Sequence, residues 1–360
     1  MLPEQSGGVV IGGGVMGAAA LHYLALLGCE RPVLIERETL ASGSTGHCAG
    51  GVRTLFSDEL NVRIGLESIR RLGELGDEID LRLWGYLFLL DNDDDVARFE
   101  ADLPLQERLG IGTRMLDPGE AQAIVPQLDT DGLRAAVLCP AAGYVTPDLV
   151  VQAYVRRAAE RGAHIEQSCA VTRILVEGGH VVGVETPRGT VRTERVVLTA
   201  GVWSTELFDL PVDRERRFMF FTEDAPAFPR ELPLTIDFST GFYFHREGGG
   251  LAFGGREQTL EDLAPVAATR LPALGDLGVR SSWWGWYELS PDHNALVGAA
   301  ASPVGLFYAT GFSGHGFQQG PVVGEHLAEL ALGRETTFDL SSFVVERFAS
   351  GQGRSELNVV

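Results

Sequence analysis

The sequence predicts an α/β fold with an antiparallel, β-rich block set into it, on three observations. A strand–glycine–helix–strand unit opens the chain, a second strand–glycine–helix unit lies far along it, and aromatic-rich strands fill the interval. The first unit is the most specific. Val9-Val10-Ile11 is short, apolar and β-branched, which suits a fully buried strand. Gly12-Gly13-Gly14-Val15-Met16-Gly17 follows at once and fits G-x-G-x-x-G. In that pattern Gly12 makes the tight turn, Gly14 lets backbone approach a pyrophosphate, and Gly17 lets the helix close on the strand. Ala18 to Leu27 continues as a helix ending near Gly28, and Pro32-Val33-Leu34-Ile35 is a second buried strand that delivers Glu36. An acid there suits a ribose hydroxyl of an adenine dinucleotide. Val9 to Gly28 is uncharged, but its five glycines, and the fact that the one charged side chain before it is acidic Glu4 rather than a basic residue, argue against a membrane span or signal peptide.

At 45% apolar and 22% charged, the 360 residues fit a soluble globular chain with room for two domains. A net charge of −20 argues against nucleic acid and anionic membrane surfaces as partners. The chain contains arginine but no lysine, which excludes a Schiff-base or P-loop lysine. Cys29, Cys48, Cys139 and Cys169 are widely spaced with no C-x-x-C pair. Neither a zinc site nor a disulfide framework is indicated, and a reducing cytoplasm is the expected setting. The acidic run Asp91–Asp95 reads as a solvated turn or helix start, and no metal site is expected.

Taken in order, Ala41 to Arg53 is a loop of small residues and hydroxyls, suited to close approach of a large planar or phosphorylated ligand. Ser57 to Gly76 reads as a helix, Trp84 to Leu90 as a strand, and Val96 to Leu109 as a surface helix interrupted by Pro104. Thr146 and Pro147 suit the N-cap and first position of a helix running to Arg161. Ile165–Val176, Val181–Thr186 and Thr190–Arg192 read as strands, and Arg195–Ser204 as a buried strand ending in glycine. The aromatic strands are Arg216–Phe221, Gly241–His245, Gly250–Gly254 and Ser281–Leu289. Leu306–Gly311 is a strand, residues 312–317 a glycine turn, and Pro321–Leu332 a helix; the tail after Ala349 reads as frayed.

Four motifs spread along the chain carry a resemblance: GGGVMG with Glu36, GSTGHCAGGVR at 43–53, VVLTAGVWS at 196–204, and YELSPDHNALVG with TGFSGHGFQQGPVVG at 287–324. The chain resembles the FAD-dependent D-amino-acid-oxidase-like (DAO) family, nearest to sarcosine oxidase, the proline dehydrogenase β-subunit and the flavin domain of dimethylglycine dehydrogenase. The resemblance implies an FAD-binding Rossmann-like domain from residues 1–83, 143–213 and 290–360. An inserted antiparallel, β-rich substrate domain (α+β) would comprise 84–142 and 214–289. FAD is favoured over NAD, which would need only the first fingerprint. The cofactor-binding set is then Gly12, Gly14, Val15, Met16, Gly17, Glu36 and Arg37, with Ser44, Thr45, Gly46, His47, Ala49, Gly50 and Gly51 from the loop. Val171, Ala200, Gly201 and Trp203 join it, as do Gly311, Gly314, His315, Gly316, Phe317 and Gln318.

The activity the resemblance implies is oxidation of a small amino acid or secondary amine, sarcosine- or proline-like, to an imine by hydride transfer to flavin N5. Arg53 matches the arginine that binds the substrate carboxylate; the plainer reading is a surface arginine paired with Asp58 or Glu59. His315 matches a histidine close to the isoalloxazine, and Tyr243, His245 and Tyr287 are candidates to line the substrate pocket. Gln318 stands where sarcosine oxidase has a lysine, and the lysine that activates dioxygen in some relatives is missing, so dioxygen and another acceptor both stay open. Non-covalent FAD is favoured. A covalent link through His47 is the alternative, since Gly46 replaces the tryptophan that precedes the flavin-bearing histidine in some relatives; Cys48 has less support as a thioether. Two rivals remain: a glycine or D-amino-acid oxidase, and a flavoprotein assembly or electron-transfer subunit without its own substrate. Partner subunits are compatible with either.

Overall fold

Short β-branched runs form the inner strands of a six-stranded sheet in the computed structural model, which describes residues 2–351, 353 and 355–358. Val9–Ile11 lies parallel to Val33–Ile35 on one side and Val196–Leu198 on the other. His164–Glu166 and Leu306–Thr310 extend the sheet in parallel, and Leu296–Ala299 closes one edge antiparallel. Val9 stands opposite both Val33 and Val196, so the strands share their alternation. Val9, Ile11, Val33, Ile35, Val196 and Leu198 face one core; Val10, Leu34 and Val197 face another. A parallel sheet must be covered on both faces, and these strands are apolar on both.

The helix Val15–Leu26 is buried from Val15 through Ala25, as expected for a helix apolar on every side. It packs against the helices Gly316–Ala331 and Pro147–Ala159. A Cβ on Gly320 would stand 2.7 Å from Val15 Cγ2, so only glycine lets the helices pack this closely.

The second sheet has eight strands in the order Val279–Leu289, Asp213–Thr222, Gly250–Gly254, Tyr243–Glu247, Leu234–Asp237, Tyr86–Leu90, Ala135–Cys139 and Arg114–Leu116. Every pair is antiparallel except Leu234–Asp237 against Tyr86–Leu90, which is parallel. Leu87, Phe244 and Phe253 belong to the core on one face, Phe88, Phe99 and Phe238 to that on the other.

Several sequence expectations need correcting. Ile165–Val176 is not one strand: Ser168 adopts φ +53, and Arg173–Glu177 starts a separate three-stranded meander with His180–Thr186 and Gly189–Arg192. Pro104 does not interrupt its helix, which runs over Asp93–Arg108; the proline sits on the exposed side, where water can take the freed carbonyl. Asp93–Asp95 form its first turn, capped by the Asn92 side chain, which accepts from Asp95 N at 2.9 Å. Thr146 occupies an N-cap position, yet its hydroxyl donates to Asp80 instead. The last helix begins at Gly316, upstream of Pro321. Of the tail after Ala349, residues 352, 354, 359 and 360 lie outside the described residues; among the others Glu356 and Asn358 are buried rather than frayed. Among the described residues no helix is long and apolar enough to cross a membrane.

Candidate active site

A cavity of about 1050 Å³ opens at the carboxyl ends of the Val9–Ile11 and Val33–Ile35 strands and extends beneath the second sheet. That volume is at the upper end of ligand pockets, which run to roughly 300–1,000 Å³. Gly12 turns out of its strand at φ +106, and a Cβ there would stand 2.5 Å from Thr199 O. The turn is therefore closed to any side chain. Gly14, Val15 and Met16 line the cavity at the helix start, while Gly17 lies behind it, where a side chain would run into Gly12 O. Glu36 lines the far wall; its Oε2 accepts from Gly13 N at 2.6 Å and its Oε1 from Glu38 N at 2.8 Å. Beside it the Arg37 guanidinium stacks on Trp203 at 3.9 Å, and Val171 and Ala200 complete this end.

The loop 41–53 wraps the helix start through hydrogen bonds. Ala41 N donates to Gly13 O at 2.9 Å, and Val15 N to Thr45 Oγ1 at 3.1 Å. Ser44 Oγ donates to Trp286 O at 2.7 Å, tying the loop to the second sheet. Ser44, Thr45, His47, Ala49, Gly50 and Gly51 line the cavity; Gly46 does not, because it turns back to donate to Ala41 O. His47 Nδ1 lies 2.8 Å from Gly43 O. Burial pushes the Cys48 thiol up to about 12, so it stays protonated and its sulfur is a poor nucleophile.

The second glycine turn meets the same cavity. Gly314, His315, Gly316, Phe317 and Gln318 line it, as does Gly201, whereas Gly311 is turned away to donate to Glu288 Oε2 at 3.0 Å. Gly314 adopts φ +92, and a Cβ would lie 2.5 Å from the Tyr287 ring. His315 is 4% exposed, and apart from an approach to the Ser313 backbone its ring nitrogens lack partners among the described residues. Burial, and then the Arg53 charge, hold it down to about 4, so it is neutral at neutral pH.

Arg53 is not a surface arginine. It is 6% exposed and lines the cavity, with its guanidinium 4.2 Å over the Phe56 ring. Nη1 donates to Leu55 O, Nη2 to Asn358 O at 2.8 Å, and its backbone N to Gln318 Oε1 at 2.7 Å. Asp58 is engaged in capping the Glu59–Gly73 helix, and Glu59 pairs with Arg63 and Arg108. Tyr243 and Tyr287 join Arg53 on the cavity wall, and burial raises both phenols above their ordinary range. His245 does not reach the cavity. It packs on Tyr144 with ring centroids 4.5 Å apart. Sequence reasoning missed Tyr86, Arg217, Met219 and Ile236, which line the same space. It also missed Glu288, whose carboxyl is raised by burial and joins two strand ends through Thr310 and Gly311.

A family description, FAD dependent oxidoreductase (DAO), matches residues 9–330. The chain belongs to the DAO family. FAD is accordingly its cofactor. The cavity fits it, with a turn no Cβ could enter at one end and the unpartnered His315 nitrogens at the other. The human mitochondrial sarcosine dehydrogenase is 30% identical over 96% of this chain and 42% of its own length. FAD-dependent oxidoreductase domain-containing protein 1 of Bos taurus is 30% identical over 98% of this chain and 87% of its own. The solved L-proline dehydrogenase from P. horikoshii superposes with a TM-score of 0.92 at 32% identity, covering 98% of this chain and 100% of that one. The chain thus spans less than half the length of the sarcosine dehydrogenases it matches.

Proposed function

We propose that this DAO chain oxidises a small amino acid or secondary amine bearing a carboxylate, sarcosine- or proline-like, to an imine. Arg53 carries this reading: a buried guanidinium on the cavity wall whose terminal nitrogens, among the described residues, meet only backbone carbonyls. A buried cation held by neutral acceptors alone retains charge to offer, and a carboxylate can meet it with charge-assisted hydrogen bonds. The names of the relatives, sarcosine dehydrogenase and L-proline dehydrogenase, point to the same substrate class.

Bound FAD supplies the hydride acceptor. Gly12, Gly14 and the start of the Val15–Leu26 helix would hold its pyrophosphate, and Glu36 a ribose hydroxyl. Arg53 fixes the substrate carboxylate and so orients the carbon next to nitrogen. Tyr86, Tyr243 and Tyr287 stay protonated at neutral pH and wall the site from water. His315, held neutral, adds no second positive charge beside the amine. We further propose that the flavin is held non-covalently, that dioxygen or another acceptor takes the electrons, and that the chain works in a reducing cytoplasm, where its four free cysteines would persist.

Acid precipitation of the purified protein should leave yellow flavin in the supernatant; flavin in the pellet would indicate attachment, with His47 the first candidate. Under anaerobic conditions sarcosine or L-proline should bleach the holoenzyme. Faster bleaching by glycine or D-alanine would favour the oxidase rival, and none by any of the four would favour an electron-transfer subunit.

A further inference from the structure

Residues 355–358 come back against the cavity wall from behind. Glu356 is 3% exposed although it is a carboxylate. Its Oε1 accepts from Ser57 N at 2.8 Å, Ser57 Oγ at 2.7 Å and Asn358 N at 3.0 Å. Its Oε2 accepts from Asn61 Nδ2 at 2.9 Å and Asp58 N at 3.2 Å. A carboxylate has about four acceptor sites, so these donors saturate it and pin the segment to the start of the Glu59–Gly73 helix. Asn358 is fully buried; its Nδ2 donates to Asp102 Oδ2 at 2.9 Å, and its carbonyl accepts from Arg53 Nη2 at 2.8 Å. One terminal nitrogen of Arg53 is thus held by a backbone oxygen whose place depends on Glu356.

We propose that Glu356 and Asn358 form a strap that positions the Arg53 guanidinium for carboxylate binding, with Glu356 a positioning residue acting through the Asn358 carbonyl. This rests on the reading of Arg53 as the carboxylate site. The strap explains how a long, flexible side chain keeps one orientation where, among the described residues, no carboxylate grips it. Glu356 also acts through its charge, which favours the protonated forms of Arg53 and His315. The two effects oppose each other. Losing the strap weakens carboxylate binding, whereas losing the negative charge strengthens it.

The probe is acetate, titrated into the holoenzyme and read from the change in flavin absorbance, with flavin content and melting temperature measured alongside. Arg53→Ala should weaken acetate about a hundredfold, and Glu356→Ala about tenfold, the size of one charge-assisted hydrogen bond. Glu356→Gln keeps an oxygen for the three donors now on Oε1, the one from Asn358 among them, and loses the acceptor only for Asn61 Nδ2 and Asp58 N; it should restore affinity to within about threefold of the parent, a rescue that general loosening of the fold would not give. Asp102→Ala, which frees only the Asn358 side chain, should weaken acetate about threefold and decides the matter if Glu356→Ala does not fold. Unchanged affinity in Glu356→Ala, or in Asp102→Ala where it alone folds, overturns the strap while Arg53→Ala still upholds the carboxylate site. Glu356→Gln as weak as Glu356→Ala also overturns it. Unchanged affinity in Arg53→Ala removes both.

Discussion

The two glycine turns reach one cavity by different means. At Gly12–Gly17 the wall is backbone: Gly13 N bonds Glu36, Gly12 lies against Thr199 O, and the start of a buried helix faces the cavity. At Gly311–Gly316 the glycines make room for side chains from another sheet. Glu288 takes the Gly311 N–H, and Tyr287 fills the space a Cβ on Gly314 would need. A nucleotide turn is largely self-contained, because phosphate asks for N–H groups and little else. The turn at Gly311–Gly316 takes its shape from the sheet it docks against.

Replacements at the two turns should therefore fail differently. Gly12→Ala strains a residue at φ +106 and drives a methyl into Thr199 O, so FAD affinity should fall about a hundredfold and the protein purify colourless. Gly314→Ala should keep FAD but push Tyr287 aside, lowering kcat/KM for the amine about tenfold. Equal flavin loss in both variants would erase the distinction.

A finer comparison sets His315 in the cavity against His245 outside it. Burial holds both to about 4. Between pH ~6.5 and ~4 the unfolded chain takes up a proton that the folded chain refuses, so stability falls as pH falls through that window. His245→Gln or His315→Gln should each relieve roughly 2–3 kcal/mol of that loss near pH 4, read by urea unfolding. Only His315→Gln should also change amine oxidation.

The smallest effect is expected at Glu288. Its raised carboxyl means the folded chain keeps a proton the unfolded chain has released, so this group costs stability as pH rises above the ordinary carboxylate range. Glu288→Gln can still accept from Thr310 and Gly311 and should shift stability by less than about 1 kcal/mol, upward at pH 8.

What could be read from sequence follows the same divide. The unit from Val9 to Glu36 was legible because its chemistry is local: a buried strand, a turn closed to side chains, and an acid at the next strand end. The loop to Arg53 and the turn at His315 could be placed by their glycines. Tyr86 and Ile236 could not, since they meet through a parallel pairing between segments far apart in the chain, which no local pattern specifies. Alternation did put Tyr243 and His245 on one strand face, but each residue advances the strand by about 3.4 Å. Two residues on, His245 has passed the cavity and lies against Tyr144. Residues 355–358 carry no periodicity, and the burial of Glu356 and Asn358 comes with donors around Ser57 and an acceptor on Asp102.

Arg53 lines the cavity and is the residue proposed to hold the substrate carboxylate, so Arg53→Ala is the most direct measurement. Anaerobic flavin bleaching by sarcosine or L-proline should slow about a hundredfold in kcat/KM through a raised KM, with FAD content unchanged. Bleaching with the parent KM would show that the guanidinium does not hold the substrate carboxylate.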